Sequence, residues 1–246
     1  MRPLRIKDYI GESFLEDTSV CDKFIDFYEE IGGKRVTGNR ESIKAHVGEG
    51  VKDREKIKHI NPQPGRKCVD ISVTLEEIEH FPRYNFMTDT LVDIHQKRSR
   101  YEKRIGGTLY NSIMLEGFNI QKYTPPHDVY SASHFEHSGR VEFEARRLYV
   151  FMVYLNDVKS GGHTVFPSYN RRFKPRKGKF LIWPPYYTHP HYGEPSREAK
   201  YIMTGWFTQR YNGETEEELF LASRQYGLLS RAKSYFEQPL LPHGIV

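Results

Sequence analysis

The sequence predicts an α+β chain with a mainly β core, a sandwich or jelly roll flanked by helices. Three observations point there. Aromatic content is high, with 17 Tyr and 15 Phe in 246 residues, as suits a β-rich interior or a binding cleft. After Gly106-Gly107 the chain breaks into short extended runs punctuated by Gly and Pro. Before that point, two stretches repeat apolar residues at helical spacing. The length fits one domain with a sizeable core. It divides into a helix-and-loop support over 1–105, a β core over 106–210 and a helical tail over 211–246.

In order, residues 1–18 read as an irregular lead-in. Val20, Phe24, Ile25, Tyr28 and Ile31 predict a helix with Ser19 as N-cap and Gly32-Gly33 as stop. Residues 33–67 are polar and read mostly as surface loop. Cys68 to Val73 is a short strand, and Thr74 with Glu77 is a capping box for a brief helix ending near Pro82. Met87, Leu91, Ile94 and Tyr101 form one stripe of a longer helix over 84–104. Its Lys97, Arg98, Arg100, Lys103 and Arg104 read as a solvated face, with phosphate binding as the alternative. Strands follow at Leu115–Thr124, Leu148–Leu155, Lys179–Trp183 and Lys200–Thr208. The second is apolar on both faces and should be central and covered. Thr215 with Glu218 opens a last helix to about Ser234, before Pro239 and Pro242.

Charge is mildly basic, 37 Lys+Arg against 32 Asp+Glu, which by itself does not mark a nucleic-acid binder. No apolar run approaches the roughly 20 residues of a membrane span, and the N-terminus lacks the apolar stretch of a signal peptide. Cys21 and Cys68 are the only cysteines, so a reduced, cytoplasmic setting is expected. Arg171 to Lys179 holds six basic residues in nine. It reads as a solvated connection, with an acidic peptide, or nucleic acid stacking on Phe173, as other uses.

The chemistry gathers in two histidine clusters. In Ser133-His134-Phe135-Glu136-His137, residues 134 and 136 point to one side of an extended segment. Alone, that triplet is a common surface pattern. Thr188-His189-Pro190-His191-Tyr192-Gly193 adds two alternating histidines, of which one need face a metal. Two imidazoles and a carboxylate leave three positions open on an octahedral ion, which suits Fe(II) and oxygen; a catalytic zinc site competes. Lys200 stands near the start of an apolar strand, where it could pair with the far carboxylate of a metal-bound organic acid.

The stretch from Val153 to Phe166, containing Tyr154-Leu155-Asn156 and Gly161-Gly162-His163-Thr164-Val165-Phe166, resembles the YLN…GGxTxF signature of prolyl 4-hydroxylase-like oxygenases, within the Fe(II)/2-oxoglutarate dioxygenases. Lys174-Pro175-Arg176-Lys177-Gly178-Lys179, His191-Tyr192-Gly193-Glu194-Pro195, Lys200-Tyr201, Gly205-Trp206-Phe207 and Gln121-Lys122-Tyr123-Thr124-Pro125 continue the resemblance over about 118–208. It implies a double-stranded β-helix holding Fe(II) through His134, Glu136 and His191, the last preferred over His189. It implies that Lys200 receives the C5 carboxylate of 2-oxoglutarate, with a hydroxyl from Tyr123 or Tyr130. Trp206 would wall the cosubstrate pocket or serve as a core residue, while His137 and His163 stand outside the ligand set. The implied cofactors are Fe(II), 2-oxoglutarate and O2, with ascorbate as an optional addition. The implied reaction hydroxylates an unactivated C–H, by default a prolyl residue in a peptide or protein, releasing succinate and CO2. Alternatives are a nucleic-acid oxidative demethylase and a silent jelly-roll binding module. Two departures stand out: Glu136 replaces the family's usual Asp, and the His191–Lys200 interval is about one residue short.

Overall fold

The computed structural model describes residues 2–31, 41–44, 56–58, 66–73, 84–107, 113–137 and 144–209. The sequence readings for Gly32-Gly33, the brief helix after Thr74, and the helix and prolines after Thr215 lie outside the described residues. Among the described residues, two α-helices, α1 (Val20–Ile31) and α2 (Asn85–Arg104), accompany fourteen strands. From the N-terminus these are β1 (Arg5–Lys7), β2 (Ile10–Phe14), β3 (Glu41–Lys44), β4 (Lys56–Lys58), β5 (Arg66–Lys67), β6 (Val69–Val73) and β7 (Ile113–Tyr123). Then follow β8 (Val129–Tyr130), β9 (Arg147–Tyr154), β10 (Thr164–Phe166), β11 (Arg171–Phe173), β12 (Lys179–Trp183), β13 (Tyr192–Gly193) and β14 (Lys200–Gln209).

A nine-stranded sheet runs β1-β2-β12-β9-β14-β7-β6-β3-β4, facing a three-stranded sheet β11-β10-β13 and the pair β5-β8. Two apolar layers result from strand alternation. Along β9, Val150, Met152 and Tyr154 enter a cluster with Ile10, Tyr123, Phe166, Phe173, Leu181, Trp183 and Ile202. This is the interior between the sheets. Tyr149, Phe151 and Val153 point the other way, toward Phe24, Phe27 and Tyr28 of α1 and Met87, Leu91, Ile94 and Tyr101 of α2. β9 is therefore central and covered on both faces, as its sequence requires, with β12 and β14 bonded along its edges.

Three expectations are corrected. Residues 1–18 are not irregular, because β1 and β2 form a hairpin joined to the main sheet through β12. Its two-residue turn places Asp8 and Tyr9 both at φ 55, the primed geometry that matches strand twist. Within 33–67 the loop expectation is corrected only at β3, β4 and β5, and the other residues lie outside the described ones. Finally, the basic face of α2 is only partly solvated: Lys103 and Arg104 are exposed, whereas Lys97 and Arg98 are buried and paired. Lys97, 1% exposed, bonds Glu16 at 3.2 Å and also Asp93, while Arg100 and Arg104 donate to the carbonyls of Arg2 (3.2 Å) and Leu4. These cations clamp the N-terminal segment onto the helix. Arg98 is buried against Glu102 and over the Phe207 ring. Long stems cover apolar surface while the charged heads find partners, and polarity in the sequence does not reveal this.

Among the described residues, no helix is long and apolar enough to cross a membrane.

Candidate metal and cosubstrate site

The two histidine clusters meet where the sheets close. His134 and His191 form an antiparallel bridge, each N–H donating to the other's carbonyl at 3.0 and 2.9 Å. The N–H groups of Glu136 and His137 both reach the Pro185 carbonyl, at 3.0 and 2.9 Å. The ligating atoms of His134, Glu136 and His191 lie within 4.8 Å of one another. Glu136 Oε1 is 3.5 Å from His134 Nε2 and 4.0 Å from His191 Nε2.

The ring protons follow from the hydrogen bonds. Nδ1 of His134 lies 2.9 Å from the Ala132 carbonyl, and Nδ1 of His191 3.1 Å from the His189 carbonyl. A carbonyl only accepts, so each Nδ1 must carry the proton and each Nε2 offers a lone pair. Burial, and then the neighbouring His134, push His191 down to about 3, which keeps it neutral. Burial alone would raise the Glu136 carboxyl. When His134 Nε2 also carries a proton, its hydrogen bond and charge, then His191 and Arg147, outweigh burial and hold Glu136 below the ordinary range; a metal ion takes that proton's place at Nε2. Two lone pairs and a carboxylate thus converge on one spot, an arrangement that calls for a cation between them.

The structure also separates the two candidate histidines. His189 donates from Nε2 to the Asp8 carbonyl at 3.0 Å, and its Nδ1 contacts Thr188 Oγ1 at 2.9 Å. Both its nitrogens are engaged by the hairpin turn and its own loop, away from the cluster. His137 Nε2 contacts the Ala145 carbonyl at 2.9 Å, and His163 Nδ1 lies 3.1 Å from Glu194. Neither joins the ligand cluster.

Lys200 is 4% exposed at the head of β14. Its ammonium donates to the Gly162 carbonyl at 3.3 Å and lies 4.5 Å over the Tyr123 ring. Burial pushes it down to about 8, against its ordinary 10.5. Among the described residues, no carboxylate is within ion-pair range of it. A buried cation held by a carbonyl and a ring face retains donors for an anion. Gly161 and Gly162, at φ 74 and 71, build the carbonyl side of this pocket. A Cβ on Gly161 would sit 2.2 Å from the Pro195 carbonyl, so only glycine lets the two loops meet.

The remaining candidates fall around these groups. Tyr130 stacks on His134 with centroids 3.7 Å apart. The Tyr123 hydroxyl donates to Gln121 Oε1 at 2.8 Å, while its ring faces Lys200. Trp206 Nε1 donates to Glu136 Oε2 at 3.2 Å, so it touches the carboxylate of the cluster. Sequence reasoning missed Phe166 and Trp183, whose rings pack on His191 at 5.2 and 5.0 Å, and Arg147 beside Trp206. The inward alternation of β10 and β12 was the available signal for the two rings; nothing local marked Arg147.

Residues 118–208 match the family described as the 2OG-Fe(II) oxygenase superfamily. A protein of Acanthamoeba polyphaga mimivirus, named provisionally as a prolyl 4-hydroxylase, is 34% identical over 99 residues, covering 37% of this chain and 41% of that protein. The match thus spans about two fifths of that relative's length. Among solved structures, the viral collagen prolyl hydroxylase of Paramecium Bursaria Chlorella virus-1, in its 2OG complex, superposes with a TM-score of 0.53. Identity is 18%, over 82% of this chain and 97% of that one. A Trichoplax adhaerens prolyl hydroxylase, complexed with a hypoxia inducible factor peptide fragment, gives 0.54 at 17% identity, over 88% of each chain. The fold is like that of these prolyl hydroxylases, a jelly roll, and residues 118–208 are similar to the 2OG-Fe(II) oxygenase superfamily.

Proposed function

We propose that this chain is an Fe(II)- and 2-oxoglutarate-dependent dioxygenase that hydroxylates an unactivated C–H, with a prolyl residue in a peptide or protein as substrate. One observation carries the reading: two neutral imidazole lone pairs and a carboxylate converge beside the barrel interior that also buries Lys200. Fe(II), with 2-oxoglutarate and O2, would supply the oxidation, coupling release of succinate and CO2 to hydroxylation of the substrate. His134 and His191 would hold the ion through Nε2, and Glu136 through Oε1. Lys200 would take the distal carboxylate of the cosubstrate as a charge-assisted hydrogen bond. The rings of Tyr130, Phe166 and Trp183 cover the histidines and limit water. Prolyl specificity draws on the names of the relatives.

The basic run weighs against a nucleic-acid substrate. Arg171 pairs with Asp8 (3.5 Å), Arg172 with Glu194 (2.8 Å), Lys177 with Asp22 (2.5 Å) and Lys179 with Glu12 (3.0 Å). Four of its six cations are paired within the fold, while Arg172, Lys174 and Arg176 remain exposed, in keeping with a solvated connection.

The test is an anaerobic titration of metal-free protein with Fe(II) and 2-oxoglutarate, with His134→Ala as control. A visible charge-transfer band in the parent, absent in the variant, is expected. No band from folded parent protein would overturn the reading and favour the silent binding module. Succinate release on adding proline-containing peptides then identifies the substrate class, with salt-dependent nucleic-acid binding as the contrary result.

A further inference from the structure

We infer that Trp206 and Arg147 form a positioning device for the metal-ligating carboxylate, and that this device lets a glutamate serve where the related oxygenases usually have aspartate. The inference rests on the metal-site reading given above. Glutamate has one more rotatable bond than aspartate, so an unrestrained Glu136 would spread its carboxylate over several positions. Here each oxygen has a separate task. Oε2 accepts the Trp206 indole N–H at 3.2 Å, while Oε1 faces both histidines. The indole is in turn held from its face. The Arg147 guanidinium lies 4.1 Å from the ring centroid, and its NH1 donates to the Glu136 backbone carbonyl at 3.4 Å. One cation therefore fixes both the ring that steers the carboxylate and the backbone that bears it. A cation on the π face also withdraws electron density from the indole and strengthens its N–H as a donor.

Strand geometry explains why the reach works. Lys200, Ile202, Thr204 and Trp206 alternate along β14 on the interior face, so the lysine and the tryptophan stand at opposite ends of one row. Glu136 comes from the loop facing the far end of that row. An aspartate at 136 carries its carboxylate one methylene, about 1.5 Å, nearer the backbone, so with the backbone unmoved it would fall short of the indole or of the histidine pair. Its carboxylate would have to choose between them.

The experiment is a titration of metal-free protein with Co(II) alone, read by visible absorption, on a double-mutant cycle of Trp206→Phe and Glu136→Asp. Phenylalanine keeps a smaller aromatic face for Arg147 and removes the N–H, and the Glu136→Asp background subtracts the effect of the lost ring area. Outer-shell partners of metal ligands typically contribute 10–100-fold in affinity. Trp206→Phe should weaken Co(II) binding about tenfold when Glu136 is present and by less than about threefold when Asp is. An equal loss in both backgrounds would reveal a merely structural tryptophan and overturn the inference. So would an unchanged affinity, and if His134→Ala still abolished binding, the metal site itself would stand. Absence of Co(II) binding by the parent would overturn both.

Should Trp206→Phe fail to fold, the indole ¹H–¹⁵N resonances decide. The chain has two tryptophans. One indole signal should lose its hydrogen-bonded downfield position in Glu136→Ala, and superimposable indole spectra would sink the inference.

Discussion

Lys200→Met should strengthen the ligand-free protein and cripple its cosubstrate binding, two effects of opposite sign from one residue. The ammonium is 4% exposed and pushed from its ordinary 10.5 to about 8, chiefly by burial. Each tenfold step in that equilibrium is worth 1.36 kcal/mol, so folding the charged lysine costs about 3 kcal/mol near neutrality. The sign follows directly. A lysine whose folded pKa is depressed imposes its full penalty below about 8, and the penalty fades as pH rises toward 10.5. Methionine fills nearly the same volume without the charge. The apo melting temperature should therefore rise at pH 7, by about 2–4 °C for each kcal/mol recovered in a chain of this size. Meanwhile, 2-oxoglutarate would lose a charge-assisted partner, worth about 1.5–3 kcal/mol or roughly 10–100-fold in affinity. In the parent, cosubstrate affinity should decline as pH passes about 8, and the variant should lack that dependence. Differential scanning fluorimetry and calorimetric titration with 2-oxoglutarate measure both arms. A variant that melts lower yet binds the cosubstrate normally would refute the assignment of Lys200 as the anion partner.

Further expectations concern other parts of the molecule. His134→Ala should abolish Fe(II) binding with little change in circular dichroism, whereas tight Fe(II) binding by the variant would remove His134 from the site. Glu102→Ala should cost about 3–5 kcal/mol, because it strands the buried Arg98 guanidinium without its carboxylate; a denaturant midpoint equal to the parent's would contradict that. Gly161→Ala forces a Cβ to 2.2 Å from the Pro195 carbonyl at φ 74. It should therefore destabilise the chain by more than 1 kcal/mol and weaken 2-oxoglutarate binding through the neighbouring Gly162 carbonyl. A stable variant with unaltered cosubstrate affinity would show that the two loops need not meet there.

What was legible in the sequence was whatever depends on periodicity or on local spacing. An unbroken apolar run placed Leu148–Leu155 at the centre of a sheet, covered on both faces, and the helical stripe of Met87, Leu91, Ile94 and Tyr101 marked a buried face on α2, because such patterns are local properties of the chain. The His134–Glu136 triplet and Lys200 were legible as chemistry only in combination with other motifs. The triplet alone is a common surface pattern, and it was the second histidine cluster and the motif order from Tyr123 to Phe207 that gave it a chemical reading.

Tertiary structure alone decided the rest. Alternation leaves His189 and His191 equivalent and a motif resemblance alone preferred the second; the physical reason lies in the β1–β2 turn, some 180 residues away, which engages His189 by giving its Nε2 the Asp8 carbonyl. The lead-in that read as irregular supplies that turn, because a hairpin this short gains its stability by pairing with β12 rather than from its own composition. The cations of α2 read as solvated because charge predicts exposure on average, and their acceptors on the N-terminal segment are visible only once the chain has folded back. The tasks of Trp206 and Arg147 depend on where the loop bearing Glu136 lands. A hydrogen bond between residues 136 and 206 follows from the closure of the two sheets, and no local pattern in the sequence encodes it.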